Sequence, residues 1–110
     1  MNDQAAQVSP VVVVLPGEID VTNADEVIEQ LVGALSPGVD TVIADMTSTS
    51  FCDSSGVHAI MRAHNWAATR DIALRLAVPP EGSVRRVLEL TGAERVMPVH
   101  SSVQEAMYPA

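Results

Sequence analysis

Aromatic residues, cysteine and lysine are scarce in this chain of 110 residues, and each scarcity bears on function. Aromatic residues make up only 3% of the sequence, so few side chains are available on which nucleic-acid bases could stack. The single cysteine, Cys52, has no partner for an internal disulfide, which suits a reducing compartment. Lysine is absent, and the net charge is −8. An acidic protein cannot neutralise a nucleic-acid backbone or an anionic membrane surface, so neither is an expected partner.

Long apolar runs are missing as well. The longest, Val11–Leu15, is far shorter than the roughly 20 residues that a membrane-spanning helix needs. The N-terminus also lacks the basic stretch and apolar segment of a secretion signal, so we expect a cytoplasmic protein. A chain of 110 residues has room for one domain, and 47% hydrophobic against 18% charged residues predict that it folds.

Acidic and basic residues are distributed unevenly. Residues 1–55 contain nine acids and no basic residue, whereas residues 56–110 contain five acids and all six arginines. A half with charges of one sign only projects a field of that sign and can attract a basic partner. A basic protein is therefore the expected counterpart.

Strand and helix patterns alternate along the chain. Residues 1–10 are polar and end in Ser9-Pro10, which predicts a short leader that is frayed or disordered. The β-branched run after it predicts a first strand buried on both faces. Gly92 is the predicted C-terminal cap of the third helix. Strands are predicted at Val11–Leu15, Val39–Met46, Ile72–Val78 and Val96–Val99, and helices after Thr22, after Gly56, over Ser83–Thr91 and after Ser102.

This alternation predicts the fold class. Strands that alternate with helices form βαβ units with right-handed crossovers. We therefore expect an α/β domain with a mixed, mostly parallel sheet of about four to five strands and with about four helices.

The loop Asp53-Ser54-Ser55-Gly56 is the main candidate for a functional site. It connects a predicted strand end to a predicted helix, the place where α/β proteins usually meet ligands and partners. Both serine hydroxyls would lie at a helix N-terminus, where free N–H groups and the helix dipole favour a negative charge. A phosphate on either serine would be tolerated there. The simpler interpretation is that Asp53 or Ser54 is only an N-cap.

Four motifs resemble, in the same order, those of the STAS domain in anti-anti-sigma factors. Phe51–Val57 resembles the signature F-x-D-S-S-G-hydrophobic, and Gly17-Glu18-Ile19-Asp20 resembles the family's G-E-hydrophobic-D turn. Val42–Met46 is similar to the strand before the signature, and Leu88–Gly92 to the segment that closes the third helix. The resemblance extends over nearly the whole chain and implies a STAS domain at residues 11–107 after a leader at residues 1–10.

The resemblance implies a regulatory function and no enzyme activity or cofactor. In this family the unphosphorylated antagonist binds an anti-sigma factor that is also a serine kinase, and this frees the sigma factor. The kinase then phosphorylates the first serine of the motif, and a serine phosphatase reverses the step. Ser54 would be the phosphoacceptor, Asp53 would orient its hydroxyl, and Ser55 and Gly56 would shape the helix start. The implied partner-binding residues are Gly17, Glu18, Asp20, Thr22 and Asn23.

Charge alone suffices for such a switch. A phosphoserine carries about −1.5 to −2 and would arrive beside Asp53 and, if the strand ends are adjacent, near Glu18 and Asp20. Two like charges about 4 Å apart at an effective dielectric near 20 repel by roughly 4 kcal/mol, whereas a hundredfold loss of affinity needs only about 2.7 kcal/mol. We therefore expect the backbone to change little on phosphorylation.

The sequence departs from the family pattern at three places. Pro10 in a short leader favours an absent or reduced first edge strand. His58 occupies a position that often carries a small or aliphatic residue, and the region of Trp66 lacks the usual basic residues of the second helix. These departures bear on the geometry and affinity of the partner complex.

Two other functions stay open. The first is a STAS subunit of a lipid-transport or stress-sensing assembly that works without phosphorylation. The second is an enzyme with Cys52 or Ser54 as nucleophile, although no positioned base accompanies either residue. A metal site is not expected, because the spacing of His58 and His64 puts them on different helix faces and no further ligand completes a set.

Overall fold

The computed structural model describes residues 10–109. The predicted leader, apart from Pro10, and any strand within it lie outside the described residues. The elements follow one another as β1 Val11–Val14, β2 Glu18–Ile19, α1 Ala24–Gly33, β3 Thr41–Asp45, β4 Phe51–Cys52, α2 Ser54–Ala68, β5 Ala73–Ala77, α3 Ser83–Thr91, β6 Val99–His100 and α4 Val103–Met107, with a 3₁₀ turn at Ala93–Arg95 before β6.

Within residues 10–109 the main sheet has four parallel strands in the order β1-β3-β5-β6. Its central strand β3 alternates between the two faces, as a strand period of two requires. Val42 and Ala44 belong to the large core under α1, α2 and α3, whereas Ile43 packs with Ala106 of α4 on the opposite face. The predicted α/β class, with a mostly parallel sheet and four helices, is confirmed.

The first strand is not buried on both faces as predicted. Val11, Val12 and Val13 are only half-buried, and Val14 is 61% exposed. Within residues 10–109, β1 pairs with β3 alone and so forms an edge of the sheet. A continuous apolar run shows no alternation of polar and apolar positions. It therefore cannot distinguish an edge strand from a central one.

The C-terminal helices agree closely with the sequence prediction. Helix α3 begins at Ser83 and ends at Thr91, and Gly92 follows in the left-handed conformation with φ 77°. The Ser102 hydroxyl accepts a hydrogen bond from the Glu105 N–H at 3.1 Å and caps α4. The spacing of Val84, Val87 and Leu88 predicts that Arg85 points outward; it is instead half-buried, and its Nη2 donates to the Val78 carbonyl at 2.7 Å.

A second, smaller sheet was not predicted from the sequence. Strands β2 and β4 contain two residues each and pair in parallel. Segments this short have no detectable periodicity, so the sequence shows them only as a turn and a loop. Among the described residues, none of the helices combines the length and the apolar character needed to cross a bilayer.

Candidate functional site

The small sheet brings the signature loop and the acidic turn together. Glu18 is paired with Phe51, and Ile19 with Cys52. The next backbone N–H along the chain, that of Asp53, donates to the Ile19 carbonyl at 3.1 Å. Residues more than 30 positions apart in the sequence therefore form one continuous surface at the start of α2.

Side chains of the small sheet alternate between inside and outside. Ile19 and Cys52 are buried in the core, with 0% and 2% of their surface exposed. Glu18 and Phe51 point the other way and lie side by side on the outer face, where Phe51 is 46% exposed. An aromatic ring next to a carboxylate is thus presented directly before the signature serines.

Asp53 is the N-cap of α2. Its side chain accepts a hydrogen bond from the Gly56 N–H at 3.1 Å, and its carbonyl accepts one from the Val57 N–H at 3.1 Å. The carboxylate is therefore engaged with the backbone of the helix start, which is the role that the simpler interpretation gives it. Ser54 follows as the first residue of α2 and is exposed, whereas Ser55 is half-buried.

Gly56 fixes how closely α2 approaches the small sheet. A Cβ atom at this position would lie 2.6 Å from both the Cys52 Sγ and the Ile19 Cγ2. No side chain fits in such a gap without displacing its neighbours. The glycine therefore allows the first turn of α2, with Ser54, to lie against the paired strands.

A network of hydrogen bonds holds the acidic turn. The Asp20 carboxylate accepts from the N–H and the hydroxyl of Thr22, and these bonds lower the pKa of Asp20 below its ordinary value. The Asn23 side chain accepts from the Asp20 N–H at 2.9 Å and donates to the Glu18 carbonyl at 2.8 Å. Asn23 thus shapes the turn from within, while Glu18 and Thr22 are exposed on the outer surface.

Hydroxyl groups tie the loop before the signature to its surroundings. The Gly17 carbonyl accepts from the Ser50 N–H at 2.7 Å, and the Thr49 hydroxyl donates to the Pro16 carbonyl at 2.8 Å. The Ser83 hydroxyl at the start of α3 donates to the Ser50 carbonyl at 3.0 Å. No sequence pattern marks Ser50, Thr49 or Ser83 as residues of the site, because their role depends on backbone partners 33 positions away.

An exposed valine next to the acidic turn was also missed. Val21 is 75% exposed and follows Asp20 directly. Together with Phe51 it gives the acidic surface two apolar side chains. Isolated exposed valines carry no sequence signal, so only the structure shows that this one belongs to the site.

The structure gives little support to a nucleophilic Cys52 or to a metal site near the signature loop. Burial, together with the charge of Asp53, raises the pKa of the Cys52 thiol to about 11. The thiol is therefore protonated at neutral pH and is a poor nucleophile. Among residues 10–109, no group of three or more histidine, cysteine, aspartate or glutamate side chains is placed to hold a metal ion.

Solved structures share this fold. An anti-sigma factor antagonist from Mycobacterium paratuberculosis matches with a TM-score of 0.78 over 89% of this chain and 82% of its own, at 19% identity. The anti-sigma factor antagonist SpoIIAA in its unphosphorylated form matches with a TM-score of 0.63 over 88% and 84%, at 22% identity. A sulfate transporter family protein from Wolinella succinogenes matches with a TM-score of 0.76 over 89% and 81%, at 16% identity.

The family of the chain follows from its sequence. None of the curated protein sequences matches it significantly. The family model of the STAS domain, however, matches residues 3–106, which is nearly the entire chain. The order of the motifs, the parallel sheet and the position of the signature loop agree with this match. The chain therefore belongs to the STAS domain family.

Proposed function

We propose that the protein is an anti-sigma factor antagonist that acts in the cytoplasm. In its unphosphorylated form it binds an anti-sigma factor with serine kinase activity, and phosphorylation of Ser54 ends the complex. The observation that carries this proposal is the exposed Ser54 at the first position of α2, held by the small sheet against the acidic turn. The structural likeness to anti-sigma factor antagonists supports it.

Ser54 fits the role of phosphoacceptor better than Ser55. A kinase must reach the hydroxyl and surround it, and Ser54 is exposed whereas Ser55 is half-buried. The N-cap bonds of Asp53 engage the N–H groups of Gly56 and Val57 and keep the helix start in place during the reaction. Helix dipoles stabilise a nearby negative charge by about 0.3–1 kcal/mol, so the first turn of α2 tolerates the phosphate.

The surface around Ser54 suits a basic partner with an apolar pocket. Glu18 and Asp20 supply negative charge, and the hydrogen bonds from Thr22 that lower the pKa of Asp20 favour its ionised form. Val21 and Phe51 supply the apolar contacts that usually contribute most of the binding energy of an interface. Charge complementarity then selects the partner and speeds the encounter.

Phosphorylation would end binding through like charges in the kinase site. A site that accepts the Ser54 hydroxyl contains a catalytic carboxylate and nucleotide phosphates, all of them anionic. A phosphate of about −1.5 to −2 on Ser54 would face these groups at close range. Repulsion of roughly 4 kcal/mol per charge pair at about 4 Å exceeds the approximately 2.7 kcal/mol that corresponds to a hundredfold loss of affinity.

Site-resolved mass spectrometry of the protein from its own host tests the proposal. Trypsin cuts first at Arg62 and leaves the loop in one long peptide, so cleavage at acidic residues is the better choice. We expect phosphate on Ser54 whose occupancy differs between growing and stressed cells. A Ser54→Ala variant should lose the modification and a Ser55→Ala variant should retain it. Phosphate on Ser55 alone, or none under any condition, would contradict the proposal.

A second candidate function is supported by a different likeness. The sulfate transporter family protein from Wolinella succinogenes shares the fold with a TM-score of 0.76. A STAS subunit of a transport or stress-sensing assembly would use the same surface for permanent association and would need no phosphate. Complete absence of phosphate, together with co-purification of the protein with membrane components, would favour this function.

A further inference from the structure

A second surface lies away from the signature loop, between α1 and α2. It is a groove of about 210 Å³ lined by Ile28, Glu29, Val32, Arg62 and Trp66. Ile28 and Val32 are half-buried in it, and the Trp66 side chain is 50% exposed. Glu29 on α1 and Arg62 on α2 are both exposed at the rims. The groove thus combines an apolar floor with one acidic and one basic edge.

Trp66 is held in position at this surface. The Arg70 guanidinium lies 4.9 Å from the centre of the indole ring, and its Nη1 donates to the Trp66 carbonyl at 3.4 Å. A cation over the ring restrains the side chain, so less conformational entropy is lost when a partner covers it. Tryptophan and arginine are also among the residues most enriched in the hot spots of protein interfaces.

The charges of the two helices are segregated. Helix α1 contains the acids Asp25, Glu26 and Glu29 and no basic residue, whereas α2 contains Arg62 and no acid. A two-fold axis that runs along the groove, between the two helices, places α1 of one copy over α2 of another and α2 over α1. Each Glu29 then meets the Arg62 of the second copy, and the two Trp66 rings share the apolar floor. The surface is therefore complementary to itself, which a two-fold symmetric interface requires.

We propose that this groove is a homodimer interface that pairs α1 of one copy with α2 of the other. The groove is separate from the proposed phosphorylation site, because Arg62 and Trp66 lie eight and twelve residues after Ser54 in α2, about 12 and 18 Å along the helix axis. Ser54 and the other residues of the two signature loops do not line the groove. The proposal does not depend on the proposed function of those loops.

Sedimentation of the purified full chain tests the interface. Between about 1 µM and 1 mM we expect the average mass to rise from one chain toward two. Because Trp66 is the only tryptophan, its emission should shift to shorter wavelength over the same range as water leaves the indole. The single variants Glu29→Arg and Arg62→Glu should each stay monomeric, since each places like charges opposite one another.

The decisive sample is an equal mixture of these two variants. One carries two cations at the groove and the other two anions, so a two-fold interface predicts that the mixture associates although neither variant does alone. The double variant Glu29→Arg/Arg62→Glu should likewise dimerise with itself. Non-specific association through exposed apolar surface would not produce this pattern.

A matched control uses an exposed apolar residue outside the groove. Leu90 on α3 is 74% exposed, and Leu90→Ser should leave association unchanged. Circular dichroism of every variant verifies that it is folded. A mass of one chain throughout the concentration range, association that the single variants do not weaken, or a mixture that stays monomeric would each overturn the proposal.

Discussion

Glu18 and Phe51 lie opposite each other in the small parallel sheet, with both side chains on the outer face. This pairing joins the acidic turn to the signature loop and gives the surface before Ser54 one charged and one aromatic neighbour. Neither motif forms the surface alone, because each strand has only two residues and depends on the other for its hydrogen bonds. The position of Ser54 therefore depends on whatever keeps β2, β4 and α2 in contact.

Gly56 is one residue on which the contact between β2, β4 and α2 depends, and replacing it should lower the stability of the domain. In Gly56→Ala the added Cβ would meet Cys52 Sγ and Ile19 Cγ2 at 2.6 Å. Overpacking of this kind costs about 1–3 kcal/mol, and urea unfolding would measure the loss. Gly33→Ala is the matched control: its Cβ meets nothing within 4 Å, so stability should hold or rise by up to about 1 kcal/mol. Equal stability of both variants would contradict the packing argument.

Two substitutions of Asp53 separate the stabilising effect of its N-cap hydrogen bond from the effect of its negative charge. Asp53→Ala removes the bond to the Gly56 N–H and should lower the free energy of unfolding by roughly 1 kcal/mol. Asp53→Asn keeps a side-chain oxygen for the cap and should be nearly as stable as the wild type, while it removes one negative charge beside Ser54. Urea unfolding of both variants checks this. If the two lose stability equally, the charge of Asp53 and not its cap supports the helix start.

The sequence predicts the fold well because most elements are long enough to show a period. Helix α3 was predicted with its observed bounds, since Val84 and Leu88 mark its buried side and Gly92 its end. The buried side of α2 was predicted less well. The apolar spacing from Val57 to Ala68 predicts a buried stripe without Ala59, Ala63 and Ala67, yet these three alanines are buried and Ala68 is exposed. Alanine is a weak marker of burial in a sequence, yet its small size lets a helix lie close to a sheet.

The site was predicted only as two separate motifs. Ser54 and Glu18 could be identified in the sequence, but their proximity depends on the pairing of Ile19 with Cys52, which no local pattern shows. The contribution of Ser83 likewise comes from a contact with the Ser50 carbonyl, far away in the chain. Long-range backbone pairing is a property of the folded state, so residues that join the site through it are invisible in the sequence.

Asp20 should make stability depend on acid pH. Bonds from Thr22 lower the pKa of this carboxyl in the folded state, so the unfolded chain takes up a proton first as pH falls. The stabilisation from these bonds is present above about pH 4, the ordinary pKa of an aspartate. It is lost as the pH falls below that value and through the lower pKa of the folded state. In Thr22→Val the hydroxyl bond is absent, and the pKa of Asp20 should rise toward its ordinary value. Carboxyl-detected NMR titration measures it; an unchanged pKa would exclude the Thr22 hydroxyl as a cause.

The Cys52 thiol should be unreactive in the folded protein. With a pKa raised to about 11, and with only 2% of its surface exposed, it should react with iodoacetamide at pH 8 far more slowly than a model thiol. Urea should restore the ordinary rate, which is the control. Because the folded pKa is the higher one, stability should fall as pH rises from about 8.5, the ordinary value, toward about 11. Labelling faster than the model thiol would instead favour an enzyme with Cys52 as nucleophile.

Phosphorylation of Ser54 should leave the core as it is. Ser54 lies on the surface, while the nearby residues Ile19 and Cys52 are buried and tightly packed, so the added charge acts outward on a partner. Amide NMR spectra of the two forms should differ in the first turn of α2 and in the acidic turn, and should agree in β3 and β5. The control is the Ser54→Ala variant, treated with the kinase that is used to phosphorylate the wild type. Shifts spread through β3 and β5 would mean that the phosphate alters the packing of the domain, and charge at the interface would then not be sufficient to explain release.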